Sequence, residues 1–301
     1  MLKIAYSSIY QHPLPAGHRF PMLKYELIPE QLLYEGTIAP INLFKPEAAK
    51  EEDILLTHTK EYWNKLQNLN LSRQEERRTG FPLSERLVKR EIIINQGTID
   101  CTHYAKKYGV AMNIAGGTHH AYADRGEGFC LLNDIAMASN YLLKHGLAQK
   151  ILVVDLDVHQ GNGTAAIFHQ DDRLFTFSMH GDRNYPFKKT DSDLDVPLPD
   201  GLQDDEYLRI LETNLRNIEL GSFDFAFYIA GADPHQDDRL GRLKLSQQGL
   251  QARDEMVLHT LQSLSVPTTI VMGGGYGEES VIANIHATTI EVAMKVHERF
   301  S

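Results

Sequence analysis

The sequence predicts an α/β protein with a mainly parallel central sheet and helices on both faces of the sheet. Short runs of β-branched and aliphatic residues alternate with amphipathic stretches of helical length, which favours right-handed βαβ units. The 301 residues are 42% hydrophobic and contain no linker-like segment, so we expect one domain over residues 1–301. Glycines and ionisable residues follow several of the apolar runs, as at the ligand-binding edge of a parallel sheet.

Each predicted element follows from its hydrophobic period. Residues 3–6, 54–57, 110–115, 151–158, 174–179, 223–230 and 268–272 are apolar runs of strand length. Residues 83–107, 133–145, 204–219, 246–264 and 278–297 are amphipathic with the period of a helix. Ser246 is the predicted N-cap of the fourth helix. The charged segments 73–90 and 188–195 are predicted to be solvated surface, so no chemistry is assigned to them.

The charge and the cysteines exclude some classes of protein. A net charge of −10 argues against binding nucleic acid through its phosphates, although it does not describe local patches, and an acidic surface would suit a cationic substrate. Two cysteines make no disulfide framework, which indicates a reducing compartment and leaves oxygen and nitrogen as metal ligands. No apolar run approaches membrane-spanning length and no leader-like segment begins the chain, so we expect a cytoplasmic protein without a membrane span.

The most informative stretch is residues 154–163, Val-Asp-Leu-Asp-Val-His-Gln-Gly-Asn-Gly. Asp155, Asp157 and His159 alternate at the end of a predicted buried strand, which would put all three side chains on one face. The competing interpretation is that the aspartates are helix caps or turn formers, because Asp is common where a strand leads into a helix.

Other strand ends supply more reactive groups. Asp233 follows the strand at 223–230, and together with Asp157 and His159 it would make the two-oxygen, one-nitrogen ligand set of a catalytic zinc site, which Fe²⁺, Co²⁺ or Mn²⁺ would also fit. Such a metal would polarise a carbonyl and make bound water acidic. His119 and His120 follow a glycine turn and could transfer protons, whereas a lone histidine would more often be structural.

A glycine-rich turn carries the last candidate. Tyr276 follows Gly273-Gly274-Gly275 and could donate its phenolic proton to a developing oxyanion. The glycines could also be read as a phosphate cradle. The chain contains no P-loop and no GxGxxG pattern, which argues against nucleotide binding.

The motifs, in chain order, are His119-His120, Gly128-Phe129-Cys130, residues 155–163, Gly231-Ala232-Asp233, Asp238-Arg239-Leu240-Gly241 and Gly273-Gly274-Gly275-Tyr276. In this order, and over most of the chain, they resemble the zinc-dependent histone deacetylase superfamily. Gln160, Asn162 and residues 17–22 look like the class IV, deacetylase 11-like branch or its bacterial relatives.

The resemblance implies an arginase-like fold and assigns roles. His119 would pair with Asp155, whereas His120, the general base and acid, would pair with Asn162 where classes I and II have Asp, and should be the less basic of the two. An acyl-lysine tunnel and a structural K⁺ site are implied as well. The tunnel would involve Gly128, Phe129, Tyr185 and Gly274, although the aromatic residues could be ordinary core; the K⁺ would bind Asp155, the carbonyls of Asp157, His159 and Met179, and the Ser178 hydroxyl.

The predicted activity is metal-dependent removal of an acetyl or longer acyl group from the lysine side chains of a protein or peptide. One alternative is hydrolysis of small acylated amines such as acetylpolyamines. A second is a catalytically silent module that binds acylated ligands. A third, a dimetal ureohydrolase, would need further bridging carboxylates, for which Asp155 is the one obvious candidate. The sequence leaves the acyl-chain length, the physiological metal and the oligomeric state open.

Overall fold

One parallel sheet of eight strands runs through the computed structural model, which describes residues 1–300. The strands are β1 (Lys3–Ala5), β2 (Leu43–Phe44), β3 (Val110–Asn113), β4 (Ile151–Asp155), β5 (Leu174–Gly181), β6 (Leu194–Leu198), β7 (Phe225–Ile229) and β8 (Thr268–Val271). Their order across the sheet is β2-β1-β3-β8-β7-β4-β5-β6. Every residue of β3, β4, β7 and β8 is buried, as expected for central strands of a parallel sheet covered on both faces.

Within residues 1–300, ten α-helices flank the sheet. They are α1 (Lys24–Tyr34), α2 (Glu51–Ile54), α3 (Lys60–Gln67), α4 (Arg73–Thr79), α5 (Glu85–Tyr108), α6 (Asp134–Lys144), α7 (Asn162–Ile167), α8 (Asp204–Asn217), α9 (Gln247–Ser263) and α10 (Glu279–Phe300). In one group, α3 and α6 pack against α5, and α2 packs against α6. In the other, α1 and α9 pack against α10, and α8 packs against α9. The predicted α/β class, with its parallel sheet and flanking helices, is confirmed.

The helices begin where side chains can satisfy free backbone N–H groups. The Ser246 hydroxyl accepts a hydrogen bond from the Gly249 N–H at 3.0 Å, which confirms the predicted cap of α9. Asn133 caps α6 in the same way, through the Ala136 N–H at 2.9 Å. None of the helices in residues 1–300 is long and apolar enough to cross a membrane.

The predicted strand at 54–57 is wrong. Residues 51–54 form helix α2, whose first turn carries three acidic residues that interact favourably with the partial positive charge of a helix N-terminus. Ile54 is the buried residue of this short helix. Four consecutive residues are too few for periodicity to separate a strand from a buried helical turn. Strands β2 and β6, on the two edges of the sheet, were not predicted.

Because all eight strands are parallel, their carboxyl ends lie along one edge of the sheet. Strands β3, β8, β7 and β4 are consecutive neighbours in the sheet, although they are far apart in sequence. The loops that follow them carry His119 and His120, Tyr276, Asp233, and the 155–159 segment, respectively. The topology therefore brings these side chains to one place.

Candidate metal and catalytic site

The loop after β4 is shaped by its own aspartates. Asp155 Oδ1 accepts a hydrogen bond from the Asp157 N–H at 3.1 Å, and Asp157 Oδ1 accepts one from the His159 N–H at 2.9 Å. The strand ends at Asp155, so the prediction that it continues to residue 158 is wrong. Two successive side-chain turns, typical of Asp, replace the expected period-two alternation. The turn-forming and functional interpretations of these aspartates are thus compatible.

Asp157, His159 and Asp233 form a buried cluster whose potential ligand atoms all lie within 4.8 Å of one another. His159 Nδ1 is 3.0 Å from an oxygen of each carboxylate. Burial, and then the charge of Asp157, raises the pKa of Asp233 to about 7, because two adjacent buried carboxylates resist both being ionised. A divalent cation would remove that cost, and two carboxylate oxygens with one imidazole nitrogen suit zinc and similar transition metals. The residues present therefore fit a metal.

His119 and His120 lie side by side, with ring centroids 4.2 Å apart, and have different partners. His119 Nδ1 is 2.7 Å from Asp155 Oδ2, whereas His120 Nδ1 donates to Asn162 Oδ1 at 2.6 Å. The Asn162 amide in turn donates to the Tyr122 hydroxyl at 3.0 Å, which fixes the orientation of the amide. The structure thus brings together both pairs that the resemblance implied.

The two imidazoles have opposite pKa shifts. Burial alone would lower the pKa of His119, but the Asp155 and Asp157 carboxylates raise it to about 9. Burial lowers the pKa of His120 well below its ordinary value, and the charges of His119 and His159 lower it further, while the Asn162 hydrogen bond and the Asp157 carboxylate only partly oppose these effects. The Nδ1–H of His120 is engaged by Asn162, so its Nε2 carries the lone pair.

Tyr276 and Gly274 lie beside the buried carboxylates. The Gly274 N–H donates to Asp157 Oδ2, and the Tyr276 N–H to Asp238 Oδ2, each at 2.6 Å. A Cβ at residue 274 would lie 2.1 Å from Asp233 Oδ2, so only glycine fits there. The rings of Tyr276 and His159 are 5.9 Å apart, which puts the phenol next to the potential metal site. Gly274 therefore lies at the base of the site.

An opening of about 320 Å³ leads from the surface to His120, His159 and Tyr276. Phe129 forms one wall and Tyr185 another, as the resemblance implied. The Tyr185 ring meets His120 edge-on at 4.9 Å, and its hydroxyl donates to Glu127 at 2.9 Å. Gly128 has a φ of +52°, and a Cβ there would lie 2.6 Å from the His120 ring. Glycine at 128 therefore lets the chain pass close to the imidazole.

Sequence reasoning missed part of the Phe129 wall. The rings of Phe20 and Phe81 each lie 5.4 Å from Phe129, and His18 bonds to the Gly80 carbonyl at 2.8 Å. Segment 73–90 was predicted to be only solvated surface, which is wrong, because Phe81 and Arg90 are buried. The many charged residues of this segment predict a solvent-exposed surface. The burial of Phe81 and Arg90 depends on contacts with residues that are distant in the sequence.

A second residue that sequence reasoning missed supports the loops of the Asp157, His159 and Asp233 cluster. Arg253, fully buried in α9, donates to the carbonyls of Gly231 at 2.7 Å and Leu156 at 3.3 Å. These carbonyls belong to the two loops that carry the cluster. Arg253 is paired with Asp254, at 2.8 Å, and the Asp254 carboxylate also accepts from Thr289. Arg253 therefore ties the two loops to α9.

A smaller cavity, of about 30 Å³, adjoins the opening, and the two share His120, Gly128, Phe129 and Tyr276 in their linings. It extends past Tyr276 and the histidine pair to Thr118, Gly273 and the buried side chain of Arg90. Arg90 Nε donates to the Tyr10 carbonyl at 2.6 Å and its guanidinium pairs with Glu91. The floor of the site is thus narrow and held by buried polar bonds.

The residues implied for a K⁺ site lie on neighbouring strands. Ser178 of β5 is directly opposite Asp155 of β4, and Met179 follows it. The Ser178 hydroxyl is 3.0 Å from His180 Nδ1. Ser178, Met179 and Asp155 are all buried. The structure therefore brings together Ser178 and Asp155 from two different strands.

Comparison with known proteins gives a family. Residues 18–292 match the model of the histone deacetylase domain. An uncharacterised protein of Picosynechococcus sp. is 43% identical over 94% of this chain and 93% of its own length. Histone deacetylase 2 of Arabidopsis thaliana is 30% identical over 96% of this chain and 78% of its own.

Solved structures agree. A histone deacetylase homologue in complex with SAHA matches 97% of this chain and 83% of its own, with a TM-score of 0.83 and 25% identity. A histone deacetylase homologue from Aquifex aeolicus matches with the same values. The arginase/deacetylase-like fold is thereby confirmed. With a family match over most of its length and a site built from the family's motifs, this chain belongs to the histone deacetylase family and is a deacetylase-type amidohydrolase.

Proposed function

We propose that this protein is a zinc-dependent hydrolase that removes a short acyl group, foremost acetyl, from the side chain of an acyl-lysine in a protein or peptide. The observation that carries the proposal is the meeting of the buried cluster Asp157, His159 and Asp233 with the histidine pair and Tyr276 at the end of one opening. A silent binding module would have no need for a proton-transfer pair and an oxyanion donor beside a metal site.

Asp157, His159 and Asp233 would hold the Zn²⁺, with Fe²⁺ or Co²⁺ as other cations that this donor set accepts. The bound cation supplies a Lewis acid that polarises the amide carbonyl and makes water more acidic. We further propose a structural K⁺ at Asp155, the carbonyls of Asp157, His159 and Met179, and the Ser178 hydroxyl. Its support is the family resemblance and the juxtaposition of Ser178 with Asp155.

The proton-transfer steps are proposed for His120 and His119. His120 Nε2 takes the proton from the attacking water and later gives it to the departing amine, while its Nδ1–H stays bonded to Asn162. His119, oriented by Asp155, stabilises the charge that develops on this pair. Tyr276 donates its phenolic proton in a hydrogen bond to the developing oxyanion.

The small cavity supports a short acyl group. Its volume of about 30 Å³ has room for one or two waters or for a group of methyl size. The adjoining opening of about 320 Å³ suits the lysine stem between Phe129 and Tyr185. We also propose that the chain belongs to the class IV branch or its bacterial relatives, because Asn162 takes the place of an Asp partner. A cytoplasmic location, expected from the cysteine usage, is part of the same proposal.

The test is a panel of acyl-lysine peptides from acetyl to myristoyl, assayed with zinc-loaded protein and with its Asp233→Ala variant. We expect the zinc-loaded protein to hydrolyse acetyl-lysine peptides and to bind about one equivalent of zinc. The Asp233→Ala variant should lose both the turnover and the bound zinc. Asp172→Ala, a change of an exposed aspartate, is the matched control and should retain both. A higher turnover of the myristoyl-lysine peptide than of the acetyl-lysine peptide would contradict the proposed preference for a short acyl group.

Three other outcomes would replace the proposal. If no peptide were hydrolysed by protein carrying one metal per chain, but acetylpolyamines were, the enzyme would act on small acylated amines. If acylated ligands bound and none were hydrolysed, the silent binding module would be the better description. A second divalent metal bound per chain would point to a dimetal hydrolase.

A further inference from the structure

Four arginines line the opening of the site. Arg19, Arg78, Arg183 and Arg242 contribute to its lining, and no carboxylate does so among residues 1–300. The whole chain carries a net charge of −10, so the sign of charge at the opening is opposite to that of the protein. We call these four residues the arginine rim.

The carboxylates near the rim are too few to neutralise it. Asp200 is shared by Arg242, at 3.2 Å, and Arg183, at 3.9 Å. Glu127 lies 3.9 Å from Arg78 and also bonds to Arg125. Arg19 makes no ion pair with any residue in the described chain. The rim therefore keeps an excess of positive charge.

The rim side chains remain available to a ligand. Those of Arg183 and Arg242 are 74% and 52% exposed, so most of their N–H donors face solvent. A guanidinium binds a carboxylate through two parallel hydrogen bonds, in a geometry that a lysine ammonium cannot offer. Charges of one sign around a cleft also concentrate oppositely charged ligands at its mouth.

We propose that the arginine rim selects acyl-lysine substrates whose neighbouring residues are acidic, an inference that rests on the proposed function. The acyl-lysine side chain enters between Phe129 and Tyr185 and carries no charge itself, so the flanking residues remain outside, at the level of the rim. Carboxylates there meet unneutralised guanidinium groups. Lysine-rich peptides and acetylpolyamines, which bring positive charge to the same place, are disfavoured.

An acidic peptide fits this surface better than an anionic membrane does. The rim arginines line an opening that leads to His120 and Tyr276, whereas a membrane-binding face presents several apolar side chains to the lipid. Phe187, 89% exposed, is the one strongly exposed large apolar residue among those described at the opening. The charge is therefore arranged around a cleft with a defined centre.

The experiment compares three acetyl-lysine peptides of equal length, flanked by Asp and Glu, by Gly and Ser, or by Lys and Arg. We expect kcat/KM at low salt to be at least about tenfold higher for the acidic than for the basic peptide, and the ratio to fall at 0.5 M salt, where exposed charges are screened. The Arg183→Gln/Arg242→Gln double variant should lose at least about threefold of that preference. Arg216→Gln, at an exposed arginine of α8, is the control and should keep it.

Equal kcat/KM for the three peptides would overturn the selectivity and leave the deacylase function standing. No turnover of any peptide would instead reject the proposed function. In that case fluorescence anisotropy of the labelled peptides on Tyr276→Phe protein decides: tighter binding of the acidic peptide, lost in the double variant, supports the rim, and equal binding overturns it. The protein could also sediment with phosphatidylserine vesicles, lose this in the double variant and show no selectivity among the peptides. That result would overturn the acidic peptide and identify an anionic lipid surface as the ligand of the rim.

Discussion

His120 Nδ1 lies 2.6 Å from Asn162 Oδ1, so a neutral amide orients the second histidine of the pair. Its neighbour His119 faces a carboxylate, Asp155, at 2.7 Å. The two rings are in contact but sit in different electrostatic environments. The pKa of His119 is raised and that of His120 is lowered, and this asymmetry supports the division of roles that we propose for the pair.

The variant Asn162→Asp tests that division. A carboxylate next to His120 stabilises its protonated form and should raise its pKa. If neutral His120 is the base, the acidic limb of the kcat/KM profile moves to higher pH. The measurement is a pH–rate profile, with Asn162→Ala as the control that removes the hydrogen bond and adds no charge. An unchanged acidic limb would remove His120 from the role of base.

Replacing Tyr276 with Phe removes one hydroxyl and keeps the ring that packs against Phe129. We expect kcat to fall by about 10² to 10³, the usual effect of losing one oxyanion donor. Bound metal should stay at the wild-type level, because Tyr276 is not among the proposed ligands. Turnover and metal content measured on the same preparation check both statements. Near-normal turnover would exclude the hydroxyl from catalysis.

Arg253→Met should destabilise the protein by about 3 to 5 kcal/mol, because it leaves the buried Asp254 carboxylate without its cation. The loops at Leu156 and Gly231 also lose a shared donor, so metal affinity should fall. Chemical denaturation measures the first effect and metal titration the second. The double variant Arg253→Met/Asp254→Asn should recover part of the stability. A double variant no more stable than the single one would show that the loop carbonyls dominate.

Lys24 is fully buried, and its ammonium makes no hydrogen bond within residues 1–300; it lies 5.1 Å from the centre of the Phe20 ring. Burial lowers its pKa to about 8, although Asp233 and Asp157 favour the charged form. We therefore expect Lys24→Met to raise the free energy of unfolding at pH 7 by roughly 1 to 3 kcal/mol.

The sign of the pH dependence follows from the same pKa. Between about pH 8 and 10.5 the unfolded state of the wild type binds more protons at Lys24 than the folded state does, so its stability rises with pH relative to the variant. The advantage of Lys24→Met should thus be full below pH 8 and shrink above it. Denaturation at pH 7 and pH 10 checks this; Lys295→Met, at a residue of α10 that is not buried, should show no such change.

That Asp157, His159 and Asp233 lie together could be predicted, because each lies in a loop that follows a strand that the sequence makes recognisable. Asp157 and His159 come after β4 and Asp233 after β7, and the topology alone brings these loops together. Predicting the residues did not require the correct backbone, since the expected strand extension past Asp155 was wrong and the cluster nevertheless formed.

The walls and supports could not be predicted in this way. Phe20 and Phe81 meet Phe129 from segments about 110 and 50 positions away, and no local pattern records such a contact. Arg253 looks like any polar residue of an amphipathic helix until its burial is known. The arginine rim was hidden because the net charge averages over the whole surface. Two-residue β2 is defined by pairing with β1, which sequence period cannot show.

The origin of the two parts of the site has a consequence for selectivity. The proposed metal ligands come from the loops after β4 and β7, which are neighbouring central strands braced by Arg253. The guanidinium groups that line the opening come from other segments, near residues 19, 78, 183 and 242. Under the proposed selectivity, replacing one arginine at the opening would change which substrate sequences are preferred. The loops that carry the proposed metal ligands would keep their residues.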